Sequence, residues 1–171
     1  MFIVQTTIDR KAMTALARMS RKSLRRGRNR PVRTLAWFIV ALELFLIYIY
    51  IRAGEGGWLV NALLAAFMLA CLLGEDRING VVGLRQVLPG SREVNATFKK
   101  DSSYVHRTQA AESWWPYTEI RAFCESKDYF ALLLGRSHGQ IYDKNGFTWG
   151  TPDEFREFIQ QKTGLKVQYI K

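Results

Sequence analysis

Two apolar runs dominate the chain. Leu35 to Ile51 (LAWFIVALELFLIYIYI) carries one acid, Glu43, and Trp58 to Leu73 (WLVNALLAAFMLACLL) is interrupted only by Asn61. Arg52-Ala-Gly-Glu-Gly-Gly57 lies between them and reads as a turn. A helix that crosses a bilayer core needs about 20 apolar residues, with about 17 as the lower limit. Each run is therefore at the short end, and Ala36, Gly74 and the flanking aromatic residues matter. A soluble helix shows a polar face at a period near 3.6, and residues 35–51 have none. Trp37, Tyr48, Tyr50 and Trp58 stand near the ends of the runs, where amphipathic rings prefer the membrane interface. The pattern predicts a transmembrane hairpin over 34–74, with spans at about 35–51 and 58–74.

The flanks carry other periods. In 1–33, Phe2 to Ile8 predicts a short strand, Thr7 a helix cap, and Asp9 an acid in the favourable first turn. The helix that follows puts Met13, Leu16, Ala17 and Leu24 on one side and Arg18, Arg21, Lys22 and Arg25 on another. Gly27 and Asn29-Arg30-Pro31 should end it. Residues 75–90 read as a connecting helix or linker up to Pro89-Gly90. In 91–171, strands are expected at Val94–Phe98, Tyr104–Thr108, Ile120–Glu125, Tyr129–Leu134 and Gln140–Asp143, with hairpin turns at 126–128 and 135–139. Thr151-Pro-Asp-Glu154 is a capping box with Pro at the first helical position. Phe155, Phe158 and Ile159 form the apolar face of that last helix, and Gly164 ends it. The expected fold is an α+β membrane protein: a two-helix hairpin plus a small antiparallel barrel or sheet like a pleckstrin-homology (PH) domain, closed by the C-terminal helix.

Charge adds orientation. The 171 residues hold 25 Lys and Arg against 15 Asp and Glu, a net +10. Residues 1–33 contain ten of the basic residues and a single acid, so nearly all of the excess precedes the first span. The positive-inside rule then puts the N-terminus in the cytoplasm, and two crossings return the C-terminal domain there. Arg18, Arg21, Lys22, Arg25, Arg26, Arg28, Arg30 and Arg33 become candidate contacts for anionic lipid headgroups. Nucleic acid is not the expected partner, because no aromatic residues interleave the charges for base stacking. Cys71 and Cys124 suit the bilayer or a reducing cytoplasm as free thiols.

Inside the hairpin, Ala62, Ala66 and Ala70 predict a close-packing stripe, with Glu43 roughly level with Ala66. Glu43 and Asn61 are the intramembrane polar candidates. For both, packing or hydrogen bonding is expected ahead of a transport role. No phosphate loop, nucleophile elbow, metal-binding spacing or catalytic carboxylate pair occurs around His106, His138 or elsewhere. No enzyme activity, metal or cofactor is expected. Of the tandem tryptophans, Trp114 and Trp115 should face opposite ways, one into the core.

The stretches Tyr117-Thr-Glu-Ile120, Glu125-Ser-Lys-Asp-Tyr-Phe130, Ile141-Tyr-Asp-Lys-Asn-Gly-Phe147 and Glu154-Phe155, with the opening Thr6-Thr-Ile-Asp9, resemble the motifs of YcxB-like bacterial membrane proteins. Tyr117 stands where that family has Trp, and Asp143 where it has Pro. The resemblance implies a bacterial inner-membrane location and a fold, and no reaction. Lys144 is expected to be solvated and Phe147 to be core. The expected role is a membrane-proximal interaction module for headgroups or an unidentified protein partner, with homo-oligomers left open. An oligomeric transport or channel subunit with Glu43 on the path is the alternative.

Overall fold

A computed structural model describes residues 1–24, 26–135 and 138–170; the side chains of Arg26, Arg28 and Asn29 are not described. Arg25 and the tip of the 135–139 turn therefore lie outside the described residues. The strands are β1 (Phe2–Thr7), β2 (Glu93–Phe98), β3 (Ser103–Arg107), β4 (Glu112–Pro116), β5 (Ala122–Glu125), β6 (Tyr129–Leu133), β7 (Gly139–Asp143), β8 (Phe147–Trp149) and β9 (Gln168–Tyr169). The α-helices are α1 (Arg10–Lys22), α2 (Arg26–Ala53), α3 (Trp58–Gln86) and α4 (Pro152–Thr163).

The strands form two sheets and not a closed barrel. One runs β4-β3-β2-β1-β8 and the other β7-β6-β5-β9, with β9 parallel to β5. The sheets meet where the Asp143 N–H donates to Thr6 Oγ1 at 3.0 Å, but no strand ladder crosses that seam. β1 pairs with β2 over its whole length and with β8 on its other edge. The N-terminal strand is therefore an inner strand of a sheet whose other members all follow α3.

Alternation explains the core. Phe2, Val4, Ala96, Phe98, Tyr104, Phe123, Phe130, Leu132 and Tyr142 face inward between the sheets, and Phe155 and Ile159 of α4 pack onto them. α4 has the expected capping box at Thr151, and Gly164 closes it at φ 69°, a conformation glycine adopts at no steric cost. The alternate residues of the second sheet (Ala122, Cys124, Ala131, Leu133 and Ile141) bury against Ala12 and Met19 of α1. With both faces covered, β5 and β6 are buried at every position, as sheets covered on two sides require. Trp115 packs against the core while Trp114 is 64% exposed, as strand alternation predicts.

The helices depart from expectation at their ends. Asp9, not Thr7, caps α1: its Oδ1 accepts the Ala12 N–H at 2.7 Å. Thr7 is occupied as the last residue of β1. α1 stops at Lys22, and a new helix begins at Arg26 and runs through Pro31. Pro31 sits little more than one turn inside α2, where its missing N–H leaves only one carbonyl near the helix start without its bond. α3 extends thirteen residues beyond the second apolar run, replacing much of the expected linker. Thr14 of α1 lies so close to Gly80 of α3 that a Cβ there would stand 2.8 Å from the Thr14 backbone N and Cα.

Candidate functional site

α2 and α3 are both long and apolar enough to cross a membrane, with mean hydropathies of 2.2 and 1.8 in windows only 6% buried. The inward face of α2 carries Arg33, Ala36, Val40, Glu43, Ile47 and Tyr50 at helical spacing. Its outward face carries large apolar side chains, among them Phe38, Phe45 and Tyr48, all more than half exposed. Two contacts fix the antiparallel register. At the turn end, a Cβ on Gly57 would stand 3.0 Å from the Tyr50 ring. At the open end, Arg33 Nη1 donates to Glu75 Oε2 at 2.6 Å.

That register sets Glu43 level with Ala65, which is 3% exposed. Ala66 and Ala70 point outward, so the close-packing stripe is Ala62 and Ala65 and not the expected 62/66/70 set. A four-residue step drifts around a helix of 3.6 residues per turn, whereas alternating steps of three and four stay on one face. Glu43 faces into the hairpin, and its Oε2 is shut off from solvent with no hydrogen-bond partner among the described residues. Asn61 turns back on its own helix, its Nδ2 donating to the Gly57 carbonyl at 3.4 Å.

Beneath the open end of the hairpin, the basic N-terminal segment meets Glu75 and Asp76. Arg21 donates to both Asp76 oxygens at 2.7 Å, and Arg18 Nε stands 3.5 Å from the same carboxylate. Arg33 is held by Glu75. Among the described side chains, three of the eight headgroup candidates, Arg18, Arg21 and Arg33, are thus drawn into ion pairs that tie α1, α2 and α3 together. Arg18 stays half exposed, Arg30 is exposed, and Lys22 stands in the last turn of α1. Arg26 and Arg28 lie at the start of α2. The carboxylate partners were readable only by folding the hairpin on paper: an acidic pair directly after the second apolar run falls opposite the basic entry to the first.

Next to this junction, α1, Arg77 of α3 and the β5–β6 turn enclose a groove of about 730 Å³. Arg10, Lys11, Arg18, Arg77 and Lys127 line it, against Asp9 and Asp128. Asp9 is engaged as the helix cap, and Asp128 pairs with Lys11 at 2.9 Å. The groove thus keeps a cationic surplus one turn beyond the apolar run.

Next to the β5–β6 turn, the motif residues converge on an ion triad. Glu125, 4% exposed, accepts from Lys144 Nζ at 2.6 Å and from Arg156 Nε and Nη2 at 2.6 and 2.8 Å. Lys144 also lies 4.9 Å from the Phe130 ring centre. Lys144 is therefore not the solvated residue expected; burial of Glu125 demands a cation within reach. Phe147 packs against the core as expected.

The two histidines form no metal site, and no group of three metal-ligating side chains exists among the described residues. His106 Nδ1 lies 3.3 Å from the Tyr142 hydroxyl. Burial, and then the charge of His138, push the His106 pKa down to about 4. The folded protein keeps His106 neutral where the unfolded chain, with a pKa near 6.5, takes up a proton. Stability should therefore fall as the pH drops from 6.5 to 4, by up to about 3 kcal/mol. In His106→Leu the slope across that window should vanish, as read from denaturant midpoints; an unchanged slope would assign it to another group.

Compared with known proteins, the chain matches no family model, no curated protein and no solved structure. That comparison lends no support to the resemblance its motifs bear to YcxB-like proteins.

Proposed function

We propose that the protein is an integral protein of a bacterial inner membrane, anchored by the α2–α3 hairpin, whose two-sheet domain works as an interaction module at the cytoplasmic surface. The observation that carries this reading is the outward face of the hairpin. Large apolar side chains cover two helices whose windows are only 6% buried, a continuous exposed surface far beyond what soluble monomers carry. Lipid is the solvent such a surface suits.

The sheet supplies a second support. β1 precedes both helices and β2 follows them, yet they pair from Phe2↔Phe98 to Thr7↔Glu93. Whatever α2 and α3 cross, they cross it an even number of times. The cationic excess of residues 1–33 supports the cytoplasmic side for both flanks. The ion pairs at Glu75 and Asp76 hold the domain close to the bilayer, and the groove with Arg77 and Arg18 offers anionic headgroups a contact surface.

The transport alternative has one observation in its favour, the unpartnered Glu43 oxygen. Its place opposite Ala65 inside one hairpin, instead of on an outward face, favours packing.

Topology is tested by cysteine labelling in intact cells. The native thiols sit in an apolar helix (Cys71) and in the core (Cys124). An impermeant maleimide should modify Glu55→Cys from outside and Lys166→Cys only after lysis. Recovery of the protein in the soluble fraction, or labelling of both positions from outside, would sink the proposal.

A further inference from the structure

Where the two sheets separate, β3, β4 and β7 enclose a cavity of about 220 Å³, bounded on its other sides by α1 and Val87 at the end of α3. Met13, Leu16, Val87 and Ile141 give it apolar walls, and both histidines of the chain reach it, with Trp115 and Gln140. Trp115 and His138 stack at 5.0 Å, forming an aromatic side. Among the described residues lining it, none is an acid, a lysine or an arginine.

The polar groups on the wall have hydrogen-bonding capacity to spare. Gln140 is 6% exposed, and its Oε1 accepts from the hydroxyls of both Tyr104 and Tyr142 at 2.7 Å. Its two amide N–H groups have no partner among the described residues. Because the Tyr142 proton goes to Gln140, the Tyr142 oxygen can only accept from His106 Nδ1. That fixes the proton of the neutral ring on Nδ1 and leaves Nε2 as an acceptor without a partner. Of the groups on this wall, the Trp115 indole N–H is the one that is fully buried with no hydrogen-bond partner among the described residues. Native proteins rarely leave such groups unpaired, and burying one without a partner costs free energy.

We propose that this cavity is a binding site for a small uncharged molecule with a flat apolar body and an amide-like donor–acceptor pair. The ligand's acceptor takes a Gln140 N–H, its donor goes to His106 Nε2, and its body lies between the Trp115 side and Met13, Leu16 and Val87. A charged ligand would find no counter-ion among the described wall residues, which disfavours it. The site does not depend on the membrane reading. It does, however, touch α1, the end of α3 and both sheets at once, so an occupant bridges the hairpin's extension and the domain.

The test uses the full chain in detergent micelles, with benzamide as probe and benzoate as its charged isostere, followed by isothermal titration and by the His106 ring signals in NMR. Benzamide should saturate with a Kd below about 1 mM, shift the His106 resonances, and bind at least about tenfold more tightly than benzoate. Val87→Trp fills the cavity from its wall without removing a hydrogen bond, and should abolish binding while the protein keeps its thermal transition. Gln140→Leu should weaken benzamide at least about tenfold, but it also strips two tyrosine partners, so Val87→Trp is the deciding variant. Absence of saturable binding, or undiminished binding to Val87→Trp, would overturn the site. Equal binding of benzoate would overturn its preference for neutral ligands.

Discussion

Replacing Glu125 by Gln is expected to destabilise the domain by about 3–5 kcal/mol, the usual cost of removing one member of a buried ion cluster. Lys144 and Arg156 would lose the carboxylate that both now bind. Arg156 would keep only Asp153, an exposed neighbour one turn back along α4, and such pairs contribute little. The triad joins the end of β5, the turn after β7 and α4, so its loss should loosen the helix that closes the core. Denaturant unfolding of the full chain, followed by tryptophan fluorescence, reads the effect. A loss below about 1 kcal/mol would mean that Arg156 and Lys144 reach water unaided. Acid should act the same way. Burial pushes the Glu125 carboxyl up, but hydrogen bonds from Arg156 and Lys144 outweigh it and hold it below its ordinary value of 4.5. A depressed carboxylate stabilises fully above that value, and its contribution is lost as the pH falls below it.

Gly80→Ala should loosen α1 from α3. The added Cβ would meet Thr14 Oγ1 at 2.6 Å and the Thr14 backbone N and Cα at 2.8 Å. A rotamer change can relieve the first contact but not the other two, so the helices must move apart. Overpacking of this kind costs about 1–3 kcal/mol. It would also lengthen the Arg21–Asp76 bonds about one turn away along α3. Hydrogen exchange should rise along α1 while the inner strands of both sheets stay protected. Thr14→Ala in the same chain should fail to restore α1, since the backbone clash persists; full restoration would put the contact on the Thr14 hydroxyl alone.

What could be read from the sequence was local. The two apolar runs, the capping box at Thr151 and five strands between 94 and 143 each follow from residues a few positions apart, and each stands in the structure, whereas β4 and β8 are strands that the pattern does not predict. The place of β1 did not follow, because its partners Glu93–Phe98 and Phe147–Trp149 lie far along the chain. No local period records a pairing at that distance. Pro31 and Gly27 read as stops, but near a helix start neither breaks the helix. The arginines read as lipid ligands because lipid was the only anion in view. Arg18, Arg21 and Arg33 instead found Glu75 and Asp76 once α3 folded back. Lys144 was misjudged for a related reason: its partner Glu125 sits across a sheet, and the burial of Glu125 depends on α4. The cavity at Gln140 and His106 left no mark in the sequence, since it exists only where two sheets part beneath α1.

The inner position of β1 also sets a timetable for biosynthesis. The strand leaves the ribosome first, but its second neighbour, β8, is made about 140 residues later. At about 5–20 residues per second the wait is roughly 7–30 s, and both apolar helices emerge during it. The sheet can close only after the hairpin has gone where it is going, so β1 has two open edges until β2 emerges and one until β8 does. Such an edge is a template for wrong partners. On the proposed function, membrane insertion is then a step that precedes completion of the domain. Slowing insertion should expose β1 to chaperones or to the same strand of another nascent chain.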